Sequence, residues 1–298
     1  MLTWRRGLGG YRHRVIGDQS ADPAGEPATS PRPERPALPS ALRAEVLAAD
    51  RLWTEVTIVG ETGSTNADAA AAARRGVPAG LVVIAEYQRA GRGRAGRGWS
   101  SPPRAGLALS VLLRPAVPAS HWGWLPLLAG VALAESTGRL GAVPARLKWP
   151  NDLLIDGRKA AGVLAEVAAG AVVVGIGLNV TNQADELPPH TPPATSLALA
   201  GADTLDRPEL LRGLLDRFAY WYHRWCRAGG DAEQCGLRPA YRQLCATLSQ
   251  PVRVQLPDGG ELTGHAADID PAGRLVLRDA AGATQRLAAG DVTHLRPG

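Results

Sequence analysis

The sequence predicts a mixed α/β domain over residues 41–249 followed by a small all-β domain over 250–298. Three observations carry that expectation. β-Branched runs alternate with helical periodicity as far as residue 249. Past Gln250 only short strand-like runs remain, parted by Asp-Gly, Pro-Ala-Gly and Ala-Gly turns. A hydrophobic content of 45% in 298 residues suffices to fill a large core.

The elements follow in order. Residues 17–40, "GDQSADPAGEPATSPRPERPALPS", are proline, small and charged residues with little to bury, so 1–40 reads as a disordered tail. "SALRAEVLAAD" (40–50) is the first helix, with Ser40 as its N-cap. "WTEVTIVGETGSTNADAAAAARRG" reads as a strand through Val56 and Ile58, a turn at Gly63, and an alanine-rich helix capped by Ser64 or Thr65 and stopping at Gly76. "LVVIAEY" (81–87) is a strand that feeds a glycine–arginine segment, and "GLALSVLLRP" is the next strand. "SHWGWLPLLAGVALAESTG" is a long core helix expected to end at Gly138. "RLKWPNDLLIDGRKAAGVLAEVA" holds short strands with a turn at Asp156-Gly157, and "AVVVGIGLNV" is a further strand. "RPELLRGLLDRFAYWYHRWCRAG" has apolar residues at helical spacing with Pro208 in the first turn, and "LRPAYRQLCATL" supplies a shorter helix.

Composition narrows the functional classes. A formal net charge of +5 favours anionic partners without choosing among nucleotides, nucleic acid and acidic proteins. Cys226, Cys235 and Cys245 lack CxxC or Cys/His spacing, which argues against a disulfide framework or a zinc site and fits a reducing cytosol. The longest apolar stretches fall far short of the ~20 residues that span a bilayer, so no membrane anchor is expected. The first residues have no apolar h-region, and export is not expected.

"QRAGRGRAGRGWSSPP" (88–103) sets Arg92, Arg94 and Arg97 among Gly91, Gly93, Gly96 and Gly98. Gly91, Gly93 and Gly96 satisfy G-x-G-x-x-G after a strand, but Pro102 and Pro103 follow where a helix should open, and the region about 20 residues on offers no acid for a ribose. A Rossmann site is therefore excluded, and no Walker sequence occurs. Glycines allow close backbone approach and arginines present planar donor forks, so a mobile loop that orders around a polyanion is one reading. A solvated basic turn and an RGG-like nucleic-acid segment are the others.

"GSTNAD" (63–68), "AEYQRAGRGRAGRGW" (85–99), "LKWPNDLL" (147–154), "GRKAAGVLAEV" (157–167) and "VVGIGLNV" (173–180), in this order, closely resemble the signature segments of biotin protein ligases. The resemblance covers roughly residues 55–298 and implies an SH2-like mixed α/β catalytic domain of the class II synthetase and biotin ligase type, with a small SH3-like C-terminal barrel. It further implies that biotin and ATP form biotinyl-5′-AMP and pyrophosphate in the presence of Mg²⁺. Biotin then passes to a lysine of the carboxyl-carrier domain of an acetyl-CoA, acyl-CoA or pyruvate carboxylase.

The residue roles come from the same resemblance. Lys159 is implied as the cation between biotin's carboxylate and the α-phosphate, with Arg92, Gly93 and Arg94 beside it and the Gly91 backbone closing over the anions. Ser64, Thr65, Asn66 and Gln88 are implied to read the ureido ring. Arg97, Trp99, Lys148, Asn151 and Asn179 are implied at the nucleotide, and Asp152 at Mg²⁺ through water or as an orienter of Lys159. By spacing alone Lys159 reads rather as a surface lysine after an Asp-Gly turn, and Ser64 or Thr65 is equally a plain helix cap.

Some expectations limit the reading. A DNA-binding winged helix needs ~60 ordered residues, which the proline-rich start does not offer, so neither repressor function nor DNA binding is expected. Arg89 stands where a neutral residue is common in the family. The role of the terminal barrel, between holding ATP or acceptor and capping the catalytic domain, stays open, as does the choice between monomer and homodimer. The aromatics of "FAYWYHRW" (218–225) are expected to form a buried face, and the histidines, His190 included, are assigned no chemistry. A lipoate or octanoate ligase and an RNA-binding protein are the rival classes. A polar set at residues 64–66 and 88 disfavours the first; salt-sensitive RNA binding without ATP turnover would favour the second.

Overall fold

The computed structural model describes residues 34–295, and the chain from Arg35 onward forms one compact unit. Its elements are α1 (Leu42–Ala49), β1 (Glu55–Val59), α2 (Thr65–Arg74), β2 (Leu81–Ala85), β3 (Gly91–Arg92), β4 (Gly98–Trp99), β5 (Gly106–Leu113) and α3 (Trp124–Gly141). Then come β6 (Ala145–Lys148), β7 (Asp152–Ile155), β8 (Arg158–Ala168), β9 (Ala171–Asn179), α4 (Arg207–Arg227) and α5 (Leu237–Leu244). The terminal strands are β10 (Pro251–Gln255), β11 (Glu261–Ile269), β12 (Leu275–Arg278), β13 (Thr284–Leu287) and β14 (Asp291–His294).

A seven-stranded mixed sheet in the order β1-β2-β5-β9-β8-β7-β6 is the frame, parallel only between β1 and β2. The period-2 alternation of its central strands decides what covers each face. In β9, Val172, Val174, Ile176 and Leu178 join the large core that includes residues of α3 and α4, while Ala171 and Val173 face the alanines of α2 in a second, smaller core. Beyond Val173 the α2-facing positions become Gly175, Gly177 and Asn179, so side-chain volume falls away along that face. In β5 the same alternation buries Leu107, Leu109 and Val111 on one side and leaves Ser110 on the other.

The five terminal strands form an antiparallel sheet in the order β13-β12-β11-β10-β14. The mixed α/β sheet with a terminal all-β unit agrees with the expected fold class. α4 begins as predicted: the Asp206 side chain accepts from Glu209 N at 2.8 Å, and Phe218, Trp221, Tyr222 and Trp225 are buried. Among the described residues no helix is long and apolar enough to cross a membrane.

Three local expectations are corrected. α1 takes Ala41, with no side-chain cap bond, as its N-cap in place of Ser40. α3 runs through Gly138 to Gly141, ending at Ala142 with φ 51°, because packing of the helix outweighs the weak propensity of one glycine. The glycine–arginine segment, read as a loop, a basic turn or an RGG-like stretch, is a β-hairpin: Gly91 pairs with Trp99, Arg92 with Gly98, and Gly93 N donates to Arg97 O at 2.7 Å.

Residues 1–33 of the expected tail lie outside the described residues. The last few tail positions are anchored. Arg35 donates to Glu186 at 2.6 and 3.1 Å and to Thr181 O at 3.0 Å, and Leu38 N donates to the Glu86 carboxylate at 2.6 Å. Glu86 also receives Arg207 of α4 at 2.6 Å, and Arg207 donates to Pro36 O at 2.6 Å. Side chains of Glu86 and Arg207 are only 8% and 5% exposed, so this ion pair joins three chain segments away from water.

Candidate functional site

A cavity of about 300 Å³ opens where the glycines of β9 replace larger side chains. That volume is within the usual size of small-molecule sites. Its floor is a glycine patch: Gly177 of β9 is paired with Gly162 of β8, and Gly175 lies two residues along the same face. Different groups sit over the two ends of this patch. A Cβ at Gly175 would fall 1.9 Å from Asn66 Oδ1, and one at Gly177 would fall 2.4 Å from the Trp99 indole.

At the Gly175 end the N-terminus of α2 presents a neutral, interlocked polar group. Ser64 caps the helix, accepting from Ala67 N at 3.5 Å, so the sequence reading of a cap holds. Gln88 Oε1 accepts from Thr65 N at 2.8 Å and lies 3.1 Å from the Thr65 hydroxyl. Ser110 Oγ is 2.6 Å from Asn66 Oδ1 and 2.8 Å from Thr65 Oγ1. Since a hydroxyl has one proton, Ser110 donates to Asn66 while Thr65 donates to Ser110 or Gln88. Asn66 Nδ2 donates to Glu166 Oε2 at 2.7 Å.

This interlock fixes Gly175. Gly175→Ala is expected to displace Asn66 and cost roughly 1–3 kcal/mol by overpacking. Urea denaturation against Gly60→Ala, where a Cβ meets nothing within 4 Å, isolates the effect.

At the other end the charges are cationic. Lys159 of β8 lies beside Gly162, with Nζ 2.7 Å from Asp152 Oδ1. Lys148, opposite Asp152 in the β6–β7 register, reaches its other oxygen at 3.8 Å. Burial lowers the Lys148 pKa, opposed by the Asp152 charge. Arg94 donates to Asn151 Oδ1 and to Gly290 O, each at 3.3 Å, and burial likewise lowers its pKa, with Asp291 opposing. Asn151 is fixed in turn by its own bond to Val163 O at 3.0 Å. Asn179 donates to Thr195 O at 2.9 Å, turning its amide across the cavity wall.

The expected site residues are therefore largely brought together. Ser64, Thr65, Asn66, Gln88, Arg92, Gly93, Arg94, Arg97, Trp99, Asn151, Lys159 and Asn179 all line the cavity. Gly91, Lys148 and Asp152 do not; they stand behind it. Gly91 is needed by the hairpin, since a Cβ there would lie 2.3 Å from Trp99 O. Arg92 and Arg97 are half-exposed and engaged, Arg92 with Glu166 at 3.2 Å and Arg97 with Asp291 at 2.7 Å. Arg94 is thus the least exposed arginine of the hairpin, half-buried where the other two are exposed. Asp152, implied at Mg²⁺ through water or as an orienter of Lys159, faces two lysines, an arrangement that suits the second role, and the described residues hold no group of three His, Cys, Asp or Glu able to bind a metal ion. One carboxylate already neutralised by ammonium groups does not fit a resident divalent cation.

Sequence reading missed five contributors. Ser110 was visible only as a lone hydroxyl in an apolar strand. Glu166 bridges Asn66 and Arg92, and Gly290 and Asp291 bring the terminal sheet to the arginines; these depend on contacts remote in sequence. His190, assigned no chemistry, lines the cavity with its Nε2 3.3 Å from Lys159 Nζ.

Comparison with known proteins gives two family matches: Biotin/lipoate A/B protein ligase family over residues 64–181, and Biotin protein ligase C terminal domain over residues 247–295. The chain is 45% identical over 260 residues to a biotin–[acetyl-CoA-carboxylase] ligase of Mycobacterium tuberculosis, covering 86% of this chain and 94% of that protein. It is 34% identical over 234 residues to the enzyme of the same name from Paracoccus denitrificans, covering 76% and 95%. Among solved structures, the biotin protein ligase of Aquifex aeolicus in complex with biotin and ATP superimposes with a TM-score of 0.67 at 26% identity, covering 82% of this chain and 100% of that one.

Proposed function

The chain belongs to the biotin protein ligase family, and from that premise we propose that it joins biotin to a carrier lysine through a biotinyl-5′-AMP intermediate. In the first step an oxygen of biotin's carboxylate attacks the α-phosphorus of ATP; the bond to the β-phosphate oxygen breaks and pyrophosphate leaves. In the second, the acceptor amine attacks the acyl carbon, AMP departs and the nitrogen loses a proton. The relatives' name points to the biotin carboxyl-carrier domain of acetyl-CoA carboxylase as acceptor.

The observation that carries this reading is the two-ended cavity. Neutral donors and acceptors at Thr65 and Asn66 suit an uncharged ureido ring, and a site built for such a ring leaves buried polar groups unpaired around an aliphatic lipoyl tail. Lys159 and Arg94 at the far end neutralise two anions that must meet, a carboxylate and an α-phosphate. Trp99 over Gly177 offers an aromatic face for the adenine. Magnesium enters as part of the substrate, the ATP complex. The free thiols of Cys226, Cys235 and Cys245 agree with action in the cytosol.

The deciding experiment incubates the protein with biotin, MgATP and a carrier domain and reads intact mass. A biotin-sized gain on one carrier lysine is expected; an unmodified carrier, with no biotin-dependent exchange of pyrophosphate into ATP, refutes the assignment. Arg94→Ala tests retention of the intermediate. Losing a charged hydrogen bond worth about 1.5–3 kcal/mol should weaken the hold on the adenylate roughly ten- to a hundredfold. The readout is AMP released per carrier biotinylated, which rises in the variant if Arg94 guards the anhydride.

A further inference from the structure

His190 sits on the segment between β9 and α4, and that segment is stitched to the lysine strand. Lys159 N donates to Pro193 O and Thr195 N donates to Lys159 O, both at 2.8 Å, so backbone bonds grip the lysine from both sides. The imidazole is fixed as well. Nδ1 lies 3.0 Å from Pro192 O and Nε2 lies 3.3 Å from Lys159 Nζ. A carbonyl only accepts and an ammonium only donates, so Nδ1 must carry the proton and Nε2 must be bare. Both neighbours select the same neutral tautomer.

We propose that His190 is a positioning residue for Lys159. Its neutral Nε2 takes one ammonium N–H while the Asp152 carboxylate lies 2.7 Å from the same nitrogen as its ion-pair partner, and the ammonium so held lines the cavity. An ammonium has three donors on a freely rotating stem, so an acceptor on one side and a carboxylate charge on another confine where its nitrogen can sit and point. The inference rests on the ligase reading, in which that ammonium meets the reacting anions. The charged groups that act on the imidazole are Lys159, Asp152 and Arg97; burial and the Lys159 charge hold its pKa below the ordinary value, opposed by the bond to Pro192 O and by Asp152. The bare state therefore persists through neutral pH. Acidification protonates Nε2, abolishes the acceptor and sets two cations against each other.

The test measures adenylate formation in single turnovers from pH 5.5 to 8.5 for wild type, His190→Ala and His190→Gln. Loss of one orienting bond should lower the alanine variant's rate about tenfold with the biotin KM nearly unchanged. Glutamine, whose Oε1 can accept from the ammonium, should restore most of the rate while removing the acid-side decline, since it does not titrate. A normal rate in the alanine variant, or glutamine no better than alanine, overturns the proposal. A second readout needs no turnover. Imidazole ¹⁵N NMR should show the Nδ1–H tautomer titrating below an ordinary histidine and moving up in Lys159→Met; a His190 signal indifferent to that change also overturns it. An inert wild type refutes the ligase reading itself, whereas an active wild type with an indifferent His190 refutes only this inference.

Discussion

Lys159→Ala is expected to form biotinyl-adenylate about 10²–10³-fold more slowly than wild type at saturating biotin and ATP, the usual loss when one preorganised charge donor is removed from a reacting oxyanion. The side chain is well placed for so large an effect. It reaches into the cavity past a glycine, is mostly buried, and is oriented by Asp152 at 2.7 Å. In that environment a cation acts on charges poorly screened by water. The loss should fall on kcat more than on the biotin KM, because the meeting of two anions is a feature of the transition state. Folding should survive, since Lys148 still faces the Asp152 carboxylate. Biotin-dependent pyrophosphate exchange and far-UV circular dichroism check both halves, and an exchange rate within threefold of wild type would remove Lys159 from the reaction.

Arg207→Ala should produce the largest loss of stability, about 3–5 kcal/mol, because it strands a buried carboxylate. Glu86 takes Arg207 at 2.6 Å, and the same guanidinium donates to Pro36 O at 2.6 Å and Gly106 O at 3.2 Å. Removing it unties the chain entry at residues 36–38, the start of β5 and the first turn of α4 together. The urea midpoint should drop with an unchanged denaturant slope. In the double variant Arg207→Met/Glu86→Gln much of the loss should return, since an apolar side chain and a neutral amide avoid the stranded charge. A single variant that loses less than 1 kcal/mol would show that water reaches Glu86 after all.

What the sequence disclosed and what it hid divide along physical lines. Strands and helices followed from periodicity, and the Ser64 cap from its position before an alanine run, because both are local. The cavity's glycines were legible as permissive positions, but that Gly175 serves Asn66 and Gly177 serves Trp99 needed the β8–β9 register and the placement of α2. Arg92, Arg94 and Arg97 looked alike in the sequence; only the fold separates a half-buried member from two exposed ones paired with Glu166 and Asp291. His190 was passed over for a related reason. A histidine between prolines has no neighbour in sequence with which to do chemistry, and its partner lies 31 residues away.

The link from Arg94 and Arg97 to Gly290 and Asp291 also bears on synthesis. A ribosome completes the cavity lining, which ends at Ala194, well before it makes the strand that fastens the hairpin. A nascent chain can therefore shape the cavity yet cannot fasten its hairpin until the distal sheet has emerged and docked.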